Sequence, residues 1–253
     1  MNEFHYQSPL KPCIEGMIRE KRSLGYKYVS SAQILYRFDQ FCLTYGCDDA
    51  LITQPLAHAW IQKAPNEALA TLHNRACVLR QLALYMTRLG IPSYVLPKRA
   101  LPKVPGYTPY IFSDQEIAAL LQQADACHYC AEVPLRHHIM PLLFRLLYGC
   151  GLRISEALNL RVQDVDLPTG MLTIMDGKFN KDRLVPMSTE NTQRCCDYVK
   201  VVHLFSDPGD YFFPAPGGQA LTKGNVYKNF RRFLWQARIS HGGWGKGPRL
   251  HDA

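Results

Sequence analysis

The feature that most limits how this chain can fold is a proline-rich segment of nineteen residues. Between residues 91 and 109 lie five prolines and three basic residues: Pro92, Pro97, Lys98, Arg99, Pro102, Lys103, Pro105 and Pro109. Because proline fixes φ and lacks a backbone N–H, neither a helix interior nor a central strand can run through this segment. The sequence therefore predicts two domains, over residues 1–95 and 108–253, joined by a stiff basic linker over residues 96–109.

Both predicted domains contain helical patterns. In residues 1–95, apolar side chains recur at helical spacing, and Gly46 and Gly90 lie where helices stop. The second domain opens on Ser113 and Glu116, three residues apart, which is the spacing of a capping box. Further helices are predicted at residues 139–147, from Arg153 onward, at 190–204 and at 222–238.

The periodicity changes in the middle of the second domain. Two runs typical of strands flank residues 176–182, at Met171–Met175 and Arg183–Met187, which predicts a β-hairpin. The predicted fold class is therefore mainly α with a small antiparallel β-sheet, built as a helical domain followed by an α+β domain.

The charge is unevenly distributed. The chain carries 29 Lys and Arg against 21 Asp and Glu, a net charge of +8, and the excess lies in residues 1–110 and 221–253. Two basic regions are typical of a protein that binds a polyanion, although +8 also suits ordinary solubility. The sequence contains no apolar run of membrane-spanning length and no secretory signal pattern. It predicts a cytoplasmic protein whose nine cysteines are reduced thiols.

Several enzyme classes lack their motifs here. The sequence contains no G-x-S-x-G, no P-loop and no H-E-x-x-H. Cys127 and Cys130 have C-x-x-C spacing, with His137 and His138 nearby, but no second C-x-x-C follows at zinc-finger spacing. No metal site is predicted, while binding of a metal by Cys127 and Cys130 stays open.

Residues 148–187 contain the candidate chemistry. Arg153 follows a glycine-broken helix junction, a position suited to holding a phosphate or to an ordinary surface salt bridge. Lys178 lies in the predicted hairpin turn, followed by Lys181 and Arg183. A basic hairpin of this kind is equally compatible with a solvated loop.

Three segments together resemble the tyrosine recombinase (phage integrase) family. They are GLRISEALNL at residues 151–160, GKFNKDRLVPM at 177–187 and RLHD at 249–252. The resemblance implies catalytic roles for Arg153, Lys178 and His251, and a supporting role for Glu156. It also implies a core-binding (SAM-like) helical domain for residues 1–95 and an integrase catalytic domain for residues 108–253.

The resemblance further implies a partner and a reaction. Double-stranded DNA at a specific site is the expected partner, bound by a homotetramer near the nucleoid, with no membrane involved. Strands would be cut and rejoined through a 3′-phosphotyrosine, without cofactor, metal or ATP. The expected DNA-binding residues are Lys181, Arg183, Lys223, Lys228, Arg231 and Arg232.

The sequence departs from the family pattern at its end. The second arginine of the pattern would follow His251 by three residues, but the sequence stops at Ala253, and no tyrosine follows Tyr227. We therefore expect these 253 residues to lack the nucleophile and to be inactive in cleavage. Two alternatives stay open: a non-catalytic DNA-binding integrase fragment, or a helical interaction module whose basic charge is incidental.

Overall fold

A computed structural model describes residues 4–104, 106, 108–175, 182–242 and 247–250. The chain divides into two compact units, which we call unit 1 (Met1–Gly106) and unit 2 (Tyr107–Ala253). The described residues are mostly helical and include a small antiparallel sheet, which confirms the predicted fold class.

Unit 1 is a helical unit with its own apolar core. Its helices are α1 (Lys11–Ser23), α2 (Val29–Tyr45), α3 (Gln54–Trp60) and α4 (Leu69–Arg88). Each helix buries one face, and Phe38 of α2 packs edge-on against Trp60 of α3 at 5.2 Å between ring centroids. The buried Asp39 carboxylate accepts hydrogen bonds from the Ser8 backbone and hydroxyl, which fixes the segment before α1.

The first half of the predicted linker is attached to unit 1. Leu96 is buried in the core of unit 1. Arg80 of α4 donates from Nε to the Leu96 carbonyl at 2.7 Å and from Nη2 to the Pro97 carbonyl at 2.8 Å. Nearer the start of α4, His73 Nε2 contacts the Pro102 carbonyl. The prolines thus end the helical pattern, and side chains of α4 then hold the extended backbone.

Unit 2 combines helices with the sheet. Its elements are α5 (Asp114–Asp125), α6 (Arg136–Gly149), α7 (Ile154–Asn159), β1 (Val165–Asp166), β2 (Met171–Ile174), β3 (Arg183–Pro186), α8 (Thr189–Val202) and α9 (Lys223–Gln236). The strand order is β1-β2-β3, antiparallel throughout, and Ile174 pairs with Arg183. The two-residue strand β1 was not predicted, because so short a run has no periodicity of its own.

Helix α6 lies at the centre of unit 2. It buries side chains around most of its circumference: Ile139, Met140, Leu142, Leu143, Phe144, Leu146 and Leu147. Helices α5 and α8 pack on α6, and α9 packs on α5 and α7. The capping box at Ser113 and Glu116 is formed, as the sequence predicted. This packing fixes the position of α7, which follows α6 directly.

Two predictions fall partly beyond this description. Residues 176–181 of the predicted hairpin, with Lys178 and Lys181, lie outside the described residues, and so does His251. Across the part of the chain that the structure describes, none of the helices is both long and apolar enough to span a membrane.

Candidate active site around Glu156

The start of α7 presents Arg153 to solvent between two buried anchors. Gly151 has φ +59°, a left-handed conformation that glycine adopts without steric cost. Leu152 and Ile154 are both buried, so the alternation of the extended backbone turns Arg153 outward, and its side chain is 50% exposed. The sequence L-R-I after a glycine turn therefore determines where this guanidinium lies.

Glu156 holds the centre of the site. Its side chain is only 6% exposed, yet it accepts four hydrogen bonds. Oε2 accepts from the Arg153 backbone N–H at 2.8 Å and from Arg183 Nη2 at 2.8 Å. Oε1 accepts from Arg153 Nη1 at 2.7 Å and from Arg183 Nη1 at 2.9 Å. A carboxylate with this many donors is well compensated for its burial.

The electrostatics of the cluster follow from these bonds. The hydrogen bonds from Arg183, opposed by burial and assisted by those from Arg153, lower the pKa of Glu156 to about 2. The same pairing raises the pKa of Arg183. Glu156 is therefore ionised at neutral pH, and the cluster of one carboxylate and two guanidiniums carries a net charge of +1.

The two arginines use their donors differently. Arg183 contacts both carboxylate oxygens with its two Nη atoms, in the bidentate geometry typical of strong arginine–carboxylate pairs. The Arg153 side chain contacts one oxygen through Nη1. Among the described residues, Nε and Nη2 of Arg153 have no hydrogen-bond partner, so part of its guanidinium is available to an anion.

A second basic feature is the exposed face of α9, which we call the α9 stripe. It consists of four exposed side chains that make no ion pair with any described residue: Lys223, Lys228, Arg231 and Arg232. Phe230 and Phe233, on the opposite face, are buried in the core of unit 2. Trp235, 80% exposed, lies at the end of the same helix.

The structure brings together part of the predicted site. Arg153 and Glu156 are in contact. Arg183, expected to bind DNA, lies with its guanidinium on Glu156. Cys130 contacts Glu132 through its thiol, and the described residues contain no group of three or more His, Cys, Asp or Glu that could hold a metal.

The Arg183–Glu156 pair was not predicted. The two residues lie 27 positions apart, one on a helix and one on a strand, so no spacing rule connects them. The available signal was an arginine opening a predicted strand of a half-buried sheet, where a charged side chain needs a partner.

The architecture of unit 2, a small antiparallel sheet flanked by helices, agrees with the family to which comparison with known proteins assigns the chain. Residues 111–252 match the family model described as "Phage integrase family". Over 251 residues the chain is 31% identical to the Sinorhizobium fredii protein named "Putative integrase/recombinase y4rB", covering 97% of this chain and 79% of that protein. The chain belongs to the phage integrase family of tyrosine recombinases.

Two other similarities agree with this assignment. The chain is 29% identical over 168 residues to "Tyrosine recombinase XerD" of Haemophilus influenzae, which covers 64% of this chain and 53% of that protein; the chain thus spans about half of that relative's length. The Tn1549 transposon integrase in complex with circular intermediate DNA superposes with a TM-score of 0.67, covering 97% of this chain and 85% of that one at 15% identity. At that identity the likeness concerns the fold.

Proposed function

We propose that this chain acts in site-specific DNA recombination, in which a tyrosine recombinase cuts and rejoins DNA strands. The observation that carries the proposal is the guanidinium of Arg153, which a buried carboxylate supports and whose Nε and Nη2 have no hydrogen-bond partner among the described residues. A scissile phosphate offers two non-bridging oxygens, and two N–H groups of one arginine fit them in a way that a lysine ammonium does not.

The proposed chemistry is attack of a tyrosine oxygen on phosphorus. A P–O bond to the tyrosine forms as the bond to the 5′ oxygen breaks, and negative charge grows on the phosphate in between. Arg153 would stabilise that charge. Lys178 would give a proton to the leaving 5′ oxygen, and His251 would hydrogen-bond to the phosphate or assist removal of the proton from the attacking tyrosine hydroxyl. The covalent 3′-phosphotyrosine conserves the bond energy, so rejoining needs neither ATP nor a metal in this scheme.

The α9 stripe would bind the DNA backbone. Its four cations are exposed and unpaired among the described residues, which suits contacts to phosphates. Lys181 in the β2–β3 connection would add another contact. Helical unit 1 would serve as a core-binding domain, and four copies would assemble on one recombination site near the nucleoid. The solved Tn1549 transposon integrase, which is in complex with circular intermediate DNA, supports a DNA partner.

Binding by the α9 stripe is tested with the salt dependence of DNA affinity. Each phosphate contact contributes about −0.9 to the slope of log K against log salt for duplex DNA. The double variant Arg231→Ala/Arg232→Ala should therefore flatten the slope by roughly 2. Arg194→Ala, which removes an arginine already paired with Glu190 on the exposed face of α8, is the matched control and should leave the slope unchanged.

Two results would contradict the proposal. If wild-type protein fails to bind duplex DNA at low salt, the helical interaction module is the better description. If the control variant flattens the slope as much as the double variant, binding depends on overall charge and not on the α9 stripe.

For a polypeptide of these 253 residues alone, we propose DNA binding without a covalent adduct. Tyr227, the last tyrosine in the sequence, lies within α9, and its hydroxyl lies 3.5 Å from His241. The non-catalytic alternative is thus the expected behaviour of this polypeptide. The test is incubation with a pool of nicked duplexes, followed by a denaturing gel. A protein–DNA band that survives detergent would identify another nucleophile among the 253 residues.

A further inference from the structure

The cluster around Glu156 contains more positive charge than is needed to neutralise the carboxylate. One guanidinium would neutralise a single carboxylate, but two are present within hydrogen-bond distance. Arg183 is the one that takes both oxygens, at 2.9 and 2.8 Å. Arg153 has one side-chain bond, at 2.7 Å. Charge neutralisation alone therefore does not account for the second arginine.

The position of Arg183 is set by the sheet. Arg183 is the first residue of β3, and its partner across the ladder is Ile174, which is buried in the core of unit 2. Its backbone is therefore anchored, and its side chain is 37% exposed against 50% for Arg153. Both Nη atoms of Arg183 already donate to the buried carboxylate, and the strand holds the guanidinium there, so Arg183 is less available to DNA than Arg153.

Glu156 would capture Arg153 if Arg183 were absent. The carboxylate has about four lone-pair sites, and the four hydrogen bonds described above occupy them. Removing Arg183 frees two of these sites beside the Arg153 guanidinium and leaves the buried charge compensated by Arg153 alone. Arg153 could then satisfy both oxygens by rotating its own fork inward, and its charge would be neutralised locally.

We propose that Arg183 is a positioning residue that saturates Glu156 and thereby leaves Arg153 free to bind a DNA phosphate. The inference rests on the proposed function in one respect, namely that the anion is the scissile phosphate. It replaces the expected role of Arg183 as a direct DNA contact. The effect of Arg183 on the site acts through Glu156, so it should disappear when Glu156 loses its charge.

The experiment measures how fast each arginine reacts with phenylglyoxal, site by site, by peptide mass spectrometry. Guanidiniums held in bidentate ion pairs react slowly, and free ones react quickly. In Arg183→Ala, labelling of Arg153 should fall about tenfold, the size of a newly formed charge-assisted pair. In the double variant Glu156→Gln/Arg183→Ala it should return to within about twofold of wild type.

This recovery separates the proposal from a merely structural role. If Arg183 acted only by holding the sheet together, its loss would loosen the site and speed labelling of Arg153, and the second substitution would loosen it further. Unchanged or faster labelling of Arg153 in Arg183→Ala would overturn the proposal. Arg194→Ala, at a paired arginine on α8, is the matched control for loss of one positive charge and should leave Arg153 labelling unchanged.

Glu156→Gln alone tests the same idea if Arg183→Ala does not fold. It should speed labelling of Arg183 about tenfold or more, because that residue loses its charged bidentate partner. Labelling of Arg153 should rise no more than about twofold, because that guanidinium contacts the carboxylate through Nη1 alone. An equal rise at both arginines would overturn the proposal.

Addition of duplex DNA separates the inference from the proposed function. With wild-type protein, bound DNA should protect Arg153 from labelling more than Arg183. DNA binding without protection of Arg153 would contradict the phosphate role of Arg153. The response of Arg153 to substitutions at positions 183 and 156 in the absence of DNA would still decide the positioning role.

Discussion

Arg75 in unit 1 and Arg153 in unit 2 are both paired with a glutamate, but the two sites are constructed differently. All three guanidinium nitrogens of Arg75 donate hydrogen bonds within the protein. Nε and Nη2 donate to the Glu67 carboxylate, Nη1 donates to the Trp60 carbonyl, and Nη2 also donates to the Gln62 carbonyl. Its guanidinium also lies 4.8 Å from the centroid of the Trp60 ring. Arg153 shares its glutamate with a second arginine, and its Nε and Nη2 donate to no described residue.

The difference distinguishes a structural arginine from one available for function. At the Arg75 site one cation meets one anion, and both side chains are largely buried, at 15% and 11% exposure. At the Glu156 site two cations meet one anion, and the surplus charge is on the more exposed arginine. Burial alone does not separate the two sites, since the side chains of Glu67 and Glu156 are both largely buried, at 11% and 6% exposure. The balance of donors and acceptors does.

The largest expected effect is the loss of stability when Arg75 is removed from its site with Glu67. Arg75→Ala leaves Glu67 uncompensated and should lower the free energy of unfolding by about 3–5 kcal/mol. Arg153→Ala leaves Glu156 with its bidentate partner and should cost no more than about 1 kcal/mol. Urea denaturation, followed by tryptophan fluorescence and far-UV circular dichroism, measures both. Equal losses would mean that Arg153 is a structural arginine too.

A second prediction concerns acid. The Glu156 pKa is about 2 in the folded chain, whereas an unfolded glutamate titrates near its ordinary value of about 4.3. Ionised Glu156 should therefore contribute on the order of 3 kcal/mol above that ordinary pKa, and lose the contribution as the pH falls toward 2.

The comparison of wild type with Glu156→Gln isolates this contribution, because the other carboxylates titrate in both proteins. The difference in their free energies of unfolding should be constant at neutral pH and shrink between about pH 4.5 and pH 3. Urea titrations across that range measure it. A difference that stays constant down to about pH 3 would show that the charge of Glu156 is not what the two arginines stabilise.

The smallest effect concerns an arginine that binds only backbone. Arg80→Ala removes the two bonds to the Leu96 and Pro97 carbonyls and should cost about 1 kcal/mol. Because the proline-rich segment loses its attachment to α4, trypsin should cut after Lys98 about fivefold faster, as expected when opening becomes easier by that energy.

The control for this prediction lies on the same helix. Arg88→Ala removes an exposed pair with Glu20 and should leave cleavage after Lys98 unchanged. Equal acceleration in both variants would attribute the effect to general loosening of α4 and not to the attachment of the segment.

The sequence predicted the parts of the fold that depend on local rules. The capping box at Ser113, the helices of unit 2 and the strand at Met171 follow from spacing between neighbours. The contact of Arg153 with Glu156 lies within one helical turn and could also be predicted from the sequence. Long-range pairings were not, because nothing in the sequence connects Arg183 with Glu156 or Arg80 with the carbonyls of residues 96 and 97.

The proline-rich segment is a second case in which local rules predict where an element ends but not what it packs against. Proline chemistry correctly marks where regular structure ends. It cannot show that the extended backbone then lies along α4, since the acceptors are main-chain carbonyls that every residue possesses. The packing of Leu96 into the core of unit 1 depends on the arrangement of helices in space.

Because the Glu156 carboxylate pairs with both arginines, positions 156 and 183 should also be coupled during evolution. A relative that lost the arginine at position 183 would keep a glutamate that pairs with Arg153 and neutralises its charge. A relative that lost the glutamate would no longer need an arginine on the strand. Substitutions at 156 and 183 should therefore arise as compensated pairs among relatives of this chain, while each single change should be short-lived.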